Sequence, residues 1–103
     1  MNLELHIGTD LGSHLADGFA AAEYRRGRID PYVDICKEIV LDFSDVRTAN
    51  SSFINGLIVG LIEQHGAKIL QRVVFKGCNP VIQALVQAGV DLGLSKIDGR
   101  VGA

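Results

Sequence analysis

Ser51 and Ser52, entered through Asn50, are the side chains in this chain best placed for chemistry. They follow a polar turn and precede a long apolar pattern, Ile54, Leu57, Ile58, Leu61 and Ile62, spaced as one face of a helix. A helix start collects unpaired backbone N–H groups and the positive end of the helix dipole. Asn50, Ser51 or Ser52 can serve there simply as the N-cap. A phosphate added at the same place would be tolerated by the fold, yet would put about two negative charges on a surface available to a partner. Arg25, Arg26 and Arg28 form the densest positive cluster. They either complement the C-terminal end of a helix or converge on an anionic ligand such as a nucleotide, although no glycine-rich phosphate loop accompanies them.

No catalytic constellation is visible. His6, His14 and His65 fall on separate segments with no acid or nucleophile at motif spacing, so they are expected as surface or packing residues rather than general bases or metal ligands. Asp42 and Asp45 flank Ser44, where turn chemistry is a more economical reading than acid–base work. Cys36 and Cys78 are too few for a disulfide framework and are expected as reduced, partly buried thiols. The expectation is a protein that is not an enzyme and needs no cofactor and no metal.

Composition narrows the class further. At 103 residues the chain is expected to be one domain, residues 1–103. With 48% hydrophobic and 21% charged residues it is a folded globular chain and not a disordered one. A net charge of -2 lacks the basic footprint of a nucleic-acid binder. The N-terminus has no secretory pattern, and no stretch approaches the roughly 18 apolar residues of a membrane span. A cytoplasmic protein with no nucleic-acid and no membrane partner is therefore expected.

The elements that must position the serines follow from periodicity. Asn2 to Ile7 alternates with Leu3, Leu5 and Ile7 on one side, which predicts an edge strand. Thr9 or Asp10 then caps a helix with apolar positions Leu11, Leu15, Phe19 and Ala22, weakened by Gly12 and Gly18. Ile39, Val40, Leu41 and Phe43 predict a buried strand before the serine turn. Within the following helix, Gly56 and Gly60 allow close approach of another element, with packing on the sheet favoured over a partner groove. Ile69 to Phe75 predicts another strand, ended by Gly77. Asn79 and Pro80 open a last helix with Val81, Ile82, Leu85, Val86 and Gly89 or Val90 on one face. Leu92, Leu94 and Ile97 continue as a short strand or packed tail, with a frayed end from Gly99 to Ala103. The order of strands and helices predicts a small α/β domain with a mostly parallel or mixed sheet.

The run LDFSDVRTANSSFINGLIVGLI resembles the signature of the STAS superfamily of bacterial anti-sigma-factor antagonists, and more specifically a STAS-like family in which Ser-Phe follows the loop. GTDLGSHLA and RRGRI resemble the first half of that family. Asn50 stands where the superfamily typically has Asp, and Phe53 where it has Gly. The resemblance implies about four strands with helices packed mainly on one side, and a role in regulatory protein–protein partner switching. It implies Ser51 as phosphoacceptor with Ser52 as its neighbour, a docking surface of Arg47, Asn50, Ser51, Ser52 and Phe53, and a GHKL-type ATP-binding protein or serine kinase as partner. The alternatives are a module binding an anionic small molecule through Arg25, Arg26 and Arg28, or a homodimer formed through the Asn2 to Ile7 edge.

Overall fold

The computed structural model describes residues 1–102, and side chains for residues 1–97. In chain order the elements are β1 (Asn2–His6), α1 (Ile7–Leu11), β2 (His14–Leu15), α2 (Gly18–Arg28), a 3-10 turn (Asp30–Tyr32), β3 (Glu38–Asp42), β4 (Thr48–Ala49), α3 (Ser51–Ile54), a π-helical segment (Asn55–Val59), α4 (Gly60–His65), a second 3-10 turn (Ala67–Gln71), β5 (Val73–Lys76) and α5 (Pro80–Gly102).

Two parallel sheets result. The larger has strand order β1-β3-β5, and the smaller pairs β2 with β4. In the larger sheet each crossover moves to the next position in the same direction. Right-handed connections then place every crossover helix on one face. The burial alternation agrees: Leu5, Ile39, Leu41 and Val73 are buried, whereas Glu4, His6, Glu38, Val74 and Lys76 are exposed. The α/β class, the parallel pairing, the one-sided helices and the edge position of β1 match the sequence expectation, with three strands and a two-stranded ribbon in place of one four-stranded sheet.

The helix that starts at Ser51 is the centre of the core. Phe53, Ile54, Leu57, Ile58, Val59, Leu61 and Ile62 are all at most 2% exposed, so the helix is apolar on nearly every side, as a helix packed between α2, α5 and the sheet must be. Its middle widens into the π-helical segment, where the Gly60 N–H reaches the carbonyl of Asn55, five residues back. That wider turn brings three consecutive residues, Leu57, Ile58 and Val59, into the interior.

Three expectations are corrected. The single helix through Leu11, Leu15, Phe19 and Ala22 is two helices: Gly12, at φ +100°, ends α1, and Leu15 pairs with Ala49 in the β2–β4 ribbon. Phe19 is then not on a buried face but 69% exposed in the first turn of α2. The strand from Ile69 begins only at Val73, because Ile69 drops into the core within the second 3-10 turn. Of the two expectations for Leu92, Leu94 and Ile97, the strand is replaced by a continuation of α5, and the packed tail holds for Leu94 and Ile97, which lie against the core. Gly89 and Gly93 do not interrupt it; a Cβ there would lie 2.6 Å from Ile54 Cγ2 and 2.7 Å from Ile62 Cδ1, so their bareness lets α5 close on the central helix. The frayed end expected from Gly99 lies outside the described side chains, and Ala103 outside the described residues.

Candidate functional site at the start of the central helix

The serine turn is held by two segments stitched together. Arg47 and Thr48 N–H groups donate to the Ser13 carbonyl, the Asn50 N–H donates to the Leu15 carbonyl at 2.9 Å, and the His14 ring lies 2.7 Å from the Thr48 hydroxyl. Asn50 does most of the positioning. Its side-chain oxygen accepts from the Phe53 N–H at 2.9 Å, which makes it the N-cap, while its amide donates to the Ala16 carbonyl at 3.0 Å. Asn supplies both halves of this bond pair; an ionised Asp would cap equally well but has no donor for Ala16.

With Asn50 as the cap, the hydroxyls of Ser51 and Ser52 are not needed for that role. Both residues are exposed, and together with Asn55 they form the exposed stripe over the first half of a helix that is otherwise buried or half-buried there. The two serines differ. A Cβ on Gly18 would lie 2.6 Å from both the carbonyl oxygen and the hydroxyl of Ser52, so Ser52 rests against the first residue of α2. Ser51 stands clear of that contact, and its hydroxyl has no hydrogen bond among the described residues.

The start of α2 lies alongside. Asp17 caps it by accepting from the Phe19 and Ala20 N–H groups at 2.9 and 3.2 Å. A cleft of about 90 Å³ lined by Leu11, His14, Leu15, Ala16, Asp17, Ala20 and Phe53 separates the two helix starts from the ribbon. Phe53, expected on a docking surface, is 2% exposed and contributes to that cleft as part of the core. Arg47 is exposed, with its backbone carbonyl accepting from the Asn79 amide at 3.0 Å. Phe19, the residue after the Gly18 on which Ser52 rests, is the aromatic that reaches solvent at the start of α2. Its signal in the sequence is Asp17-Gly18, a cap that restarts the helix register and puts Ala21, Tyr24 and Arg25 on the inner face.

The three arginines do not converge. Arg25 turns inward: its Nε donates to the Gly56 carbonyl at 3.2 Å and its Nη1 to Asp30 at 2.6 Å, while the other Asp30 oxygen lies 2.7 Å from His65 Nε2. Arg28 lies 3.6 Å from Asp10 and stacks 5.5 Å over the Tyr24 ring. The Tyr24 hydroxyl donates to Asp10 at 2.6 Å, and burial, followed by that bond, pushes the phenol well above its usual range. Arg26 is exposed.

Asp42 and Ser44 form a turn, as expected. The Ser44 N–H and hydroxyl both donate to Asp42 Oδ1, and these bonds, the hydroxyl first, hold the carboxyl below the usual carboxylate range. Cys36 is buried and Cys78 half-buried, both free thiols; burial, then the Asp42 charge, pushes the Cys78 thiol up.

These features define a small parallel α/β domain with one open sheet face, in which a serine pair is presented at the start of the core helix. Residues 21–83 match the family described as "STAS-like domain of unknown function (DUF4325)". The match spans more than half of the chain and includes the serine turn, and the chain belongs to this family. No curated protein and no solved structure matches it.

Proposed function

We propose that this chain is a non-enzymatic regulatory module of the cytoplasm that docks a partner protein through Arg47, Asn50, Ser51 and Ser52, with Phe19 beside them, and that phosphorylation of Ser51 releases the partner. The observation that carries this reading is the exposed Ser51 hydroxyl, left free by the Asn50 cap, on a helix whose other residues are mostly core. Ser52 serves the reading as a neighbour and not as the acceptor, because it rests against Gly18. A phosphate on Ser51 meets the positive end of the helix dipole, so the fold accepts it, while the added charge opposes docking by desolvation and repulsion. Resemblance to the anti-sigma-factor antagonists points to a GHKL-type ATP-binding protein or serine kinase as the partner.

Mass measurement of the intact protein from its host, before and after phosphatase, is expected to show one phosphate that maps to Ser51. In capture from host lysate, Ser51→Ala is expected to retain an ATP-binding partner. Ser51→Asp is expected to fold normally and bind at least about tenfold more weakly, about 1.4 kcal/mol. Equal capture by the two variants would end the switch reading.

A further inference from the structure

The open sheet face carries a cluster that the serine turn does not use. Glu4 and His6 project from the same side of β1, and His6 is the register partner of Asp42 on β3. His6 Nε2 lies 3.3 Å from Glu4 Oε2 and His6 Nδ1 lies 3.2 Å from Asp42 Oδ2. One donor atom from each of the three residues falls within 4.8 Å of the others. We propose that Glu4, His6 and Asp42 form a binding site for a single divalent cation of the zinc class.

Three observations support the site. One donor atom from each residue already lies within 4.8 Å of the others, and zinc bound to imidazole nitrogen and carboxylate oxygen at about 2.0–2.2 Å would draw adjacent tetrahedral ligands in to about 3.4 Å. Asp42 is held in a ligating orientation, because both Ser44 donors engage Oδ1 and leave Oδ2 toward His6. The backbone at Gly77, at φ +70°, passes so close that a Cβ there would meet the Ser44 hydroxyl and would lie 2.9 Å from Asp42 Oδ1, so this turn is packed into one position.

The two carboxylates now touch opposite nitrogens of the ring, and one ion takes a single nitrogen. Asp42 is 9% exposed in its side chain and fixed, whereas Glu4 is 47% exposed, so Glu4 is the ligand that swings. One imidazole and two carboxylates favour zinc or a neighbouring transition ion over magnesium or calcium, which prefer all-oxygen sites. The remaining coordination positions face solvent. Lys76, the register partner of Asp42 on β5, offers a competing cation and sets a limit on affinity. The site joins the edge strand to the central strand at the carboxyl end of the parallel sheet.

The test is calorimetric titration of Zn²⁺ into the tag-free, chelator-treated full chain at neutral pH, with Mg²⁺ as the comparison. One zinc per chain is expected, with no Mg²⁺ uptake under the same conditions. His6→Ala is expected to weaken zinc binding at least about tenfold, and Lys76→Gln to tighten it. His6 is exposed, so its substitution should leave the circular dichroism spectrum unchanged, and Glu4→Gln gives a second exposed variant that should also weaken binding. No saturable zinc uptake, or uptake that survives His6→Ala or is lost in His65→Ala, would overturn the proposal and leave His6 as an imidazole bridging two carboxylates.

Discussion

Arg25→Ala is expected to lower the unfolding free energy by about 3 kcal/mol, the low end of the cost of removing one partner from a largely buried ion pair. The Arg25 side chain is 9% exposed and Asp30 is 20% exposed, so the pair is largely shielded from water. Three losses combine. Asp30 keeps only His65 as a side-chain partner. The Gly56 carbonyl, inside the π-helical segment where backbone pairing is already displaced, loses its Nε donor. The lost guanidinium also leaves a gap against the central helix, since it packs on Gly60 closely enough that a Cβ there would lie 2.8 Å from Nε. In a domain of this size, a loss of about 3 kcal/mol corresponds to a drop of about 15 °C in Tm. Arg25→Lys is expected to recover only part of it, because an ammonium cannot serve the carboxylate and the carbonyl in the planar geometry of a guanidinium. Arg28→Ala, which breaks a longer and more exposed pair, is expected to cost less than about 1 kcal/mol. Urea unfolding of the three variants gives the comparison; an Arg25→Ala loss as small as that of Arg28→Ala would refute the inward role of Arg25 and reopen it as a ligand residue.

The contrast between Arg25 and its neighbours marks where the sequence stops being informative. All three arginines follow the apolar face of a predicted helix, and charge alone sends all three to its surface. Arg25 goes inward because Asp30, five residues on, meets its guanidinium and because Gly60 on another helix leaves room for that group. The second condition is not local to Arg25. The same holds for the first predicted helix, whose period survives across Gly12 on paper but is broken by the pairing of Leu15 with Ala49, 34 residues away. It holds again for Glu4, His6 and Asp42, which have no motif spacing because the ladder between β1 and β3 supplies their proximity.

The legible features depend on neighbouring residues alone. The alternation of Leu3 and Leu5 places β1 at an edge with one buried side, and Asn79 before Pro80 gives the cap seen in the 2.9 Å bond from the Ile82 N–H. Ile54, Leu57, Ile58, Leu61 and Ile62 place the central helix and its entry at the serines. The helix-wide burial of that element, and with it the π-helical widening, is not legible, because Val59 falls off the predicted face and is buried only by elements far away in sequence. The same limit hides the purpose of the glycines. Gly56 and Gly60, expected against the sheet, pack instead against α2.

That packing makes Gly56→Ala a test of the helix–helix contact on which the serine turn depends. Glycine to alanine inside a helix ordinarily stabilises it by roughly 1 kcal/mol. At Gly56 the new Cβ would collide with the carbonyl of Gly18 and would lie 3.1 Å from Ala21 Cβ. A helix backbone cannot yield as a flexible side chain does, so the helices must separate, at a cost of about 1–3 kcal/mol for overpacking and more once neighbouring contacts open. The expected net effect is destabilisation by about 2 kcal/mol, opposite in sign to the helix propensity. Gly27→Ala supplies the control: it is also helical, in α2, and a Cβ there meets nothing within 4 Å, so the same substitution should stabilise by roughly 0.5–1 kcal/mol. Because Gly18 also supports Ser52, displacement of α2 by Gly56→Ala should move the amide resonances of Ser51 and Ser52, whereas Gly27→Ala should leave them in place. If both variants stabilise the protein, α2 does not pack on the central helix as described, and the arrangement that leaves Ser51 free beside Ser52 loses its basis.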